Sequence, residues 1–173
     1  AGNHHVGWLT LFGTDSDPDA ELLLRLAAAA LGTELGREAS YRGRKASFWE
    51  SALAGEFHDA ASAREEAASH GIAVAPNYVA VALEAETEAD AARPDVSVLR
   101  ALATDGFRGA EAEIGFVERG ATLFVLVPAM RAVDASNAKT AATLLPLNAA
   151  RRKPPLRVSG GASGLEPLDA LQR

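Results

Sequence analysis

The chain has 173 residues, 48% hydrophobic and 23% charged, with a formal net charge of −6. That length suits one domain, or one domain with part of another, since domains commonly run to ~100–200 residues, and the composition is that of a folded chain. The acidic balance argues against a broad electrostatic grip on nucleic acid, the absence of cysteine excludes disulfides and thiolate chemistry and suits the cytoplasm, and no stretch reaches the ~20 apolar residues of a membrane span.

HVGWLTLFG, 5–13, is a short apolar run closed by glycine and predicts a strand. It has no partner nearby in sequence, so it reads as the last strand of a preceding domain or as an addition to a sheet edge. Asp17 then suits an N-cap, with Pro18 in the first helical position and Asp19 and Glu21 at the positive end of the dipole. A helix over about 18–38 follows. In it Leu24, Ala28, Leu31 and Leu35 repeat at spacings of four, three and four. Such a row can line the seam of a dimer or lie on its own domain, and two heptads leave both open.

ASYRGRKAS, 39–47, is polar and contains glycine, which predicts a linker. FWESALAGEF and DAASAREEAASHG predict two helices, with Asp59 as an N-cap and Gly71 as a stop. Phe48, Trp49, Leu53 and Phe57 share one apolar face, the mark of core. YVAVAL, 78–83, is a continuous apolar run suited to a strand covered on both faces. VSVLRALATDGF, 96–107, has helical spacing and a terminal glycine at 106.

In EAEIGFVE, 111–118, Ala112, Ile114 and Phe116 alternate with Glu111, Glu113 and Gly115, as on a half-buried strand. ERGA turns the chain and TLFVLV, 122–127, returns. Asp134 to Ala150 predicts a helix that Pro146 should kink or end. LRVSGGAS, 156–163, is a glycine-rich strand. Arg151, Arg152, Lys153 and Arg157 form a dense basic run, but the prolines within it make it a solvated loop rather than a phosphate contact.

The order strand, helix, strand, strand, helix, strand predicts an α+β fold of the split-βαβ, ferredoxin-like kind. Its antiparallel sheet would carry both helices on one face, preceded by a helical segment and the N-terminal strand. The chain starts at Ala1 without methionine and closes on LEPLDALQR, whose pattern predicts a helix with no stop signal. Both ends read as positions inside a longer polypeptide.

FWESALAGEFHDAASAREEAASHGI, YVAVALEAE, GATLFVLVP and LRVSGGAS, in that order, resemble bacterial transcriptional regulators of the PucR and CdaR type, in particular their degenerate GGDEF-like domain. The resemblance covers roughly residues 47–173. HVGWLTLFG and the helix after it look like the end of a GAF-type sensor domain, so the expected division is 1–46 and 47–173. The resemblance implies a homodimer, an effector that is a small molecule, and DNA binding only through a helix-turn-helix domain beyond this chain.

The same resemblance extends to true GGDEF nucleotide cyclases, whose central hairpin bears glycines and then an acid pair serving metal and catalysis. Here Arg119, Gly120, Ala121, Thr122 and Leu123 fall on those five positions, so one glycine is kept and both acids are replaced. Phosphoryl transfer draws on metal ions held by oxygen ligands, usually carboxylates. The expectation is therefore a non-catalytic regulatory module with no catalytic residue, metal or cofactor. The alternative is a nucleotide-binding or cyclase-like domain with a divergent metal site at Glu84 and Glu86, which alternate to one face of an extended chain.

Other chemistry-bearing residues lack a motif. SGGASG at 159–164 has no lysine after it and reads as a close backbone approach rather than a phosphate cradle. His4, His5, His58 and His70 are not at ligand spacing. Ser47, Ser51, Ser136 and Ser159 lack the G-x-S-x-G setting of an activated nucleophile.

Overall fold

The computed structural model describes residues 18–86, 96–108, 112–153 and 155–171. The expected strand at 5–13, the Asp17 cap, His4 and His5 lie outside them. The chain divides into two compact units, Ala1–Arg44 and Lys45–Arg173. No helix of the described residues is long and apolar enough to cross a membrane.

Helix α1 spans Pro18–Ala54. The predicted linker at 39–47 is thus helical, which corrects the sequence reading. Ala39, Arg42, Lys45 and Ala46 are strong helix formers, and one interior glycine, Gly43, costs only about 1 kcal/mol. Polar side chains here bond within the helix: Ser40 Oγ donates to the carbonyl of Gly36 at 2.9 Å, and Arg42 pairs with Glu38. In the first unit Leu22, Leu23, Leu26, Leu31 and Leu35 are exposed, Leu23 by 66%. Gly55, with φ 70°, follows the helix end.

In the second unit α2, Ala60–Ser69, is opened by a capping box between Asp59 and Ser62: the Asp59 carboxylate accepts from Ser62 N at 2.7 Å. The sheet consists of β1 (Asn77–Ala85), β2 (Gly115–Arg119), β3 (Thr122–Ala129), β4 (Val158–Ala162) and the short β5 (Glu166–Pro167). Helix α3, Val96–Gly106, lies between β1 and β2 in the chain, and α4, Ala132–Ala150, between β3 and β4. The strand order is β2-β3-β1-β4, with β5 also on β1, and each of these pairs is antiparallel. The fold is α+β.

Alternation along the strands sorts two cores. Val79, Val81 and Leu83 of β1 and Leu123, Val125 and Val127 of β3 pack with Leu99, Leu102 and Ala103 of α3 and Leu145 and Ala149 of α4. On the opposite face Tyr78, Val117 and Leu126 pack with Phe48, Trp49 and Leu53 of α1 and Ala63 and Ala67 of α2. The lead-in helices therefore do more than precede a one-sided sheet; they cover its second face. A two-sided burial explains why YVAVAL is apolar without alternation.

Trp49 carries much of that second core. Its ring lies 4.9 Å from Phe48 and 5.3 Å from Tyr78, both edge-on, and burying one such side chain contributes roughly 1.5–3 kcal/mol. Lys45 Nζ bonds the Glu113 carboxylate, tying α1 to the segment before β2. Glu113 N in turn donates to Ala73 at 3.1 Å instead of entering the ladder, so among the described residues β2 begins at Gly115, later than the alternation from Ala112 predicts.

Helix α4 runs through Pro146 to Ala150, so the proline does not end it. Leu145 and Ala149, both fully buried, hold the last turns against the sheet, and packing outweighs one lost hydrogen bond. Where LEPLDALQR predicts a helix, the described residues 166–170 form β5 followed by a 3-10 turn, Leu168–Ala170. Pro167 sits at φ −66° and ψ 156°, extended backbone that pairs with Asn77. The turn buries Leu168 and Leu171 in the second core.

Candidate functional site

The hairpin joining β2 to β3 is closed by two residues. Arg119 pairs with Thr122, and between them stand Gly120, with φ 63°, and Ala121, with negative φ. That sequence of signs is the II′ pattern, which places glycine first because an L side chain there strains the backbone. Leu123, the fifth of the positions aligned with the cyclase hairpin, is fully buried in the first core. It anchors the register of the turn.

The remaining positions offer little to a cation. Ala121 ends in a methyl, and the Arg119 guanidinium lies 5.9 Å from the Phe124 ring centroid, a cation–π distance. Glu118 is held at 2.8 Å by Arg100, whose guanidinium also covers Phe116 at 5.1 Å. Thr122 lies opposite Glu84 on β1, and Glu84 in turn lies opposite Ser159 on β4. A carboxylate and two hydroxyl-bearing residues therefore share one row across the sheet. Glu84 and Glu86 are both exposed, and Glu86 N donates to the carbonyl of Arg157 at 3.0 Å. Among the described residues no group of three or more His, Cys, Asp or Glu could hold a metal ion.

The other singled-out residues are dispersed. His70 Nε2 lies 2.9 Å from Glu66 Oε1 at the end of α2, and His58 adjoins the Asp59 cap. Ser51 Oγ donates to Glu56 at 2.6 Å, and the Ser136 carbonyl accepts from Thr140 at 2.9 Å. Gly160 faces β1 so closely that a Cβ there would meet the Ala82 carbonyl oxygen at 2.6 Å, the close approach expected of the glycine-rich strand.

A second place has the shape of a ligand site and was not singled out from the sequence. A cavity of about 620 Å³ opens between the end of α3, the end of β3 and the first turns of α4. Phe107, Val127, Ala138 and Ala141 contribute apolar lining, while Arg108, Arg131, Asp134 and Asn137 contribute polar groups. Asp134 is committed to the start of α4: its carboxylate accepts from Arg131 N at 2.8 Å and Met130 N at 3.2 Å. Hydrogen bonding from Arg131 holds its carboxyl below the usual range, opposed by slight desolvation. The lining falls between residues 106 and 141, on the ends of α3 and β3 and the start of α4, and its residues form no recognisable ligand motif in the sequence; packing of α3 against the β3–α4 corner brings them together.

Comparison of the chain with protein-family models, with curated proteins and with solved structures finds no match.

Proposed function

We propose that this chain is a non-catalytic regulatory fragment of a PucR or CdaR type transcriptional regulator. In this reading the second unit is a ferredoxin-like, GGDEF-related domain, and the N-terminal part is the end of a GAF-like sensor with its connecting helix. The fragment acts as a cytoplasmic homodimer and relays a small-molecule signal to a helix-turn-helix domain outside the chain. The effector shifts the balance between two arrangements only to the extent that it binds one of them better.

The observation that carries the reading is the hairpin. A methyl and a hydroxyl, of Ala121 and Thr122, stand where the cyclases carry their acid pair, in a tight turn whose register Leu123 fixes. Transfer of a phosphoryl group needs oxygen-rich metal coordination that these residues do not supply. The strand order β2-β3-β1-β4 supports the ferredoxin-like assignment, and the unbroken α1 supports a connecting role for its N-terminal part. The exposed leucines of the first unit support self-association.

The row formed by Thr122, Glu84 and Ser159 favours a second reading, a nucleotide-binding domain with a divergent metal site at Glu84 and Glu86. Calorimetry with magnesium and a purine nucleotide at millimolar concentration separates the two. No heat of binding is expected; saturable heat lost in the Glu84→Gln variant would overturn the regulatory reading.

A further inference from the structure

The cavity at the far end of β3 from the hairpin lies within the ~300–1,000 Å³ range of small-molecule sites. Its lining divides by chemistry. Phe107 and Val127 are buried members of the first core, each with an edge reaching the cavity, and Pro128, Ala138 and Ala141 extend that apolar surface. These side chains offer no hydrogen bond, so the body of a ligand lying on them must itself be apolar.

The charged lining residues are Arg108, Arg131 and Asp134, a balance of one positive charge. The Asp134 carboxylate is already used by two backbone N–H groups, so it is poorly placed to receive a cation. The arginines are less committed. The Arg131 guanidinium meets Asp134 at a long 3.4 Å, and its side chain is 76% exposed. Arg108 gives one nitrogen to Asp105 at 2.6 Å. Asp105 also accepts from Arg152 at 3.1 Å, so its charge is shared between two guanidinium groups. A guanidinium has five N–H donors in a planar fork that matches a carboxylate. A polyanion would meet Asp134 and Asp105 without enough positive charge to offset them.

We infer that this cavity is a binding site for a small organic monoanion, an apolar-bodied carboxylate whose body lies against Phe107, Val127 and Ala141 and whose charged end is met by Arg108 and Arg131. The inference rests on the cavity alone and holds whether or not the chain belongs to a transcriptional regulator.

The test is an amide-resolved NMR titration of the 173-residue chain with 2-naphthoate and, separately, with its neutral counterpart 2-naphthamide. Saturable shifts from the acid are expected to concentrate in residues 106–108 and 127–141, with the amide binding up to about fivefold more weakly, the upper end of the ~0.2–1 kcal/mol of an exposed ion pair. Arg131→Gln and Arg108→Gln should each weaken the acid by a similar factor and leave the amide unchanged; both side chains are exposed, so the fold should tolerate either change. Non-saturable shifts, shifts centred on α1, or equal affinity for acid and amide would each overturn the assignment.

Discussion

The indole of Trp49 lies directly on the backbone of Gly115: a Cβ at Gly115 would fall 2.5 Å from the ring. The contact brings the end of α1 onto β2 without space for even a methyl group. Gly115→Ala should therefore destabilise the second unit by about 1–3 kcal/mol through overpacking, read as a lower denaturant midpoint. Trp49→Leu should couple to it, so that the double variant loses less than the sum of the single losses. Strict additivity would place the strain elsewhere.

Tyr78 is fully buried, and its hydroxyl accepts from Ala75 N at 2.8 Å. Tyr78→Phe leaves that N–H without a partner and should cost about 1–3 kcal/mol at neutral pH.

Burial also pushes the Tyr78 hydroxyl up to about 12, outweighing the Ala75 hydrogen bond. The folded state thus keeps a proton that the unfolded chain releases near pH 10, so this contribution is intact below pH 10 and is lost as pH rises toward 12. Unfolding free energies measured through that window should fall more steeply for the native chain than for Tyr78→Phe. Parallel curves would contradict the assignment.

Asp59 accepts from the Ser62 backbone and side chain, which together hold its carboxyl below the ordinary range. Asp59→Ala should lower the melting temperature by a few degrees at neutral pH. The depressed value means that the stabilisation is present above the ordinary carboxylate range and is lost as pH falls through the folded-state value. The difference between native and variant should close in acid, as thermal melts at descending pH would record.

Leu31 and Leu35 are exposed on the first unit's helix by 52% and 40%. If the chain self-associates through that helix, Leu31→Glu with Leu35→Glu should shift sedimentation toward the monomer and leave the melting of the second unit unchanged. A monomeric native chain would remove the dimer from the proposed function.

Local chemistry made many elements readable in the sequence. Asp59 and Gly71 bracket α2 as a cap and a stop, and Gly120 sits in the turn it was expected to occupy. The apolar runs at 78–83 and 122–127 fall within β1 and β3. These features depend on a residue's own backbone preferences or on periodicity over a few positions. The same local rules misread 39–47, where one glycine and a polar composition suggested a linker inside a continuous helix. At Pro146 a helix-breaking residue was outweighed by packing, and at 166–170 pairing with Asn77 and burial of Leu168 replaced the expected helix.

By itself the sequence determined which side chains stand at the β2–β3 turn, and with them the absence of carboxylates at Ala121 and Thr122. Only the tertiary structure decided that Trp49 covers the sheet opposite α3 and α4. It also brought Arg108 and Arg131, from the ends of different elements, to one cavity. The physical reason is range. Caps, turns and alternation arise between neighbours along the chain, whereas a covered face or a cavity arises from packing among residues that the backbone separates.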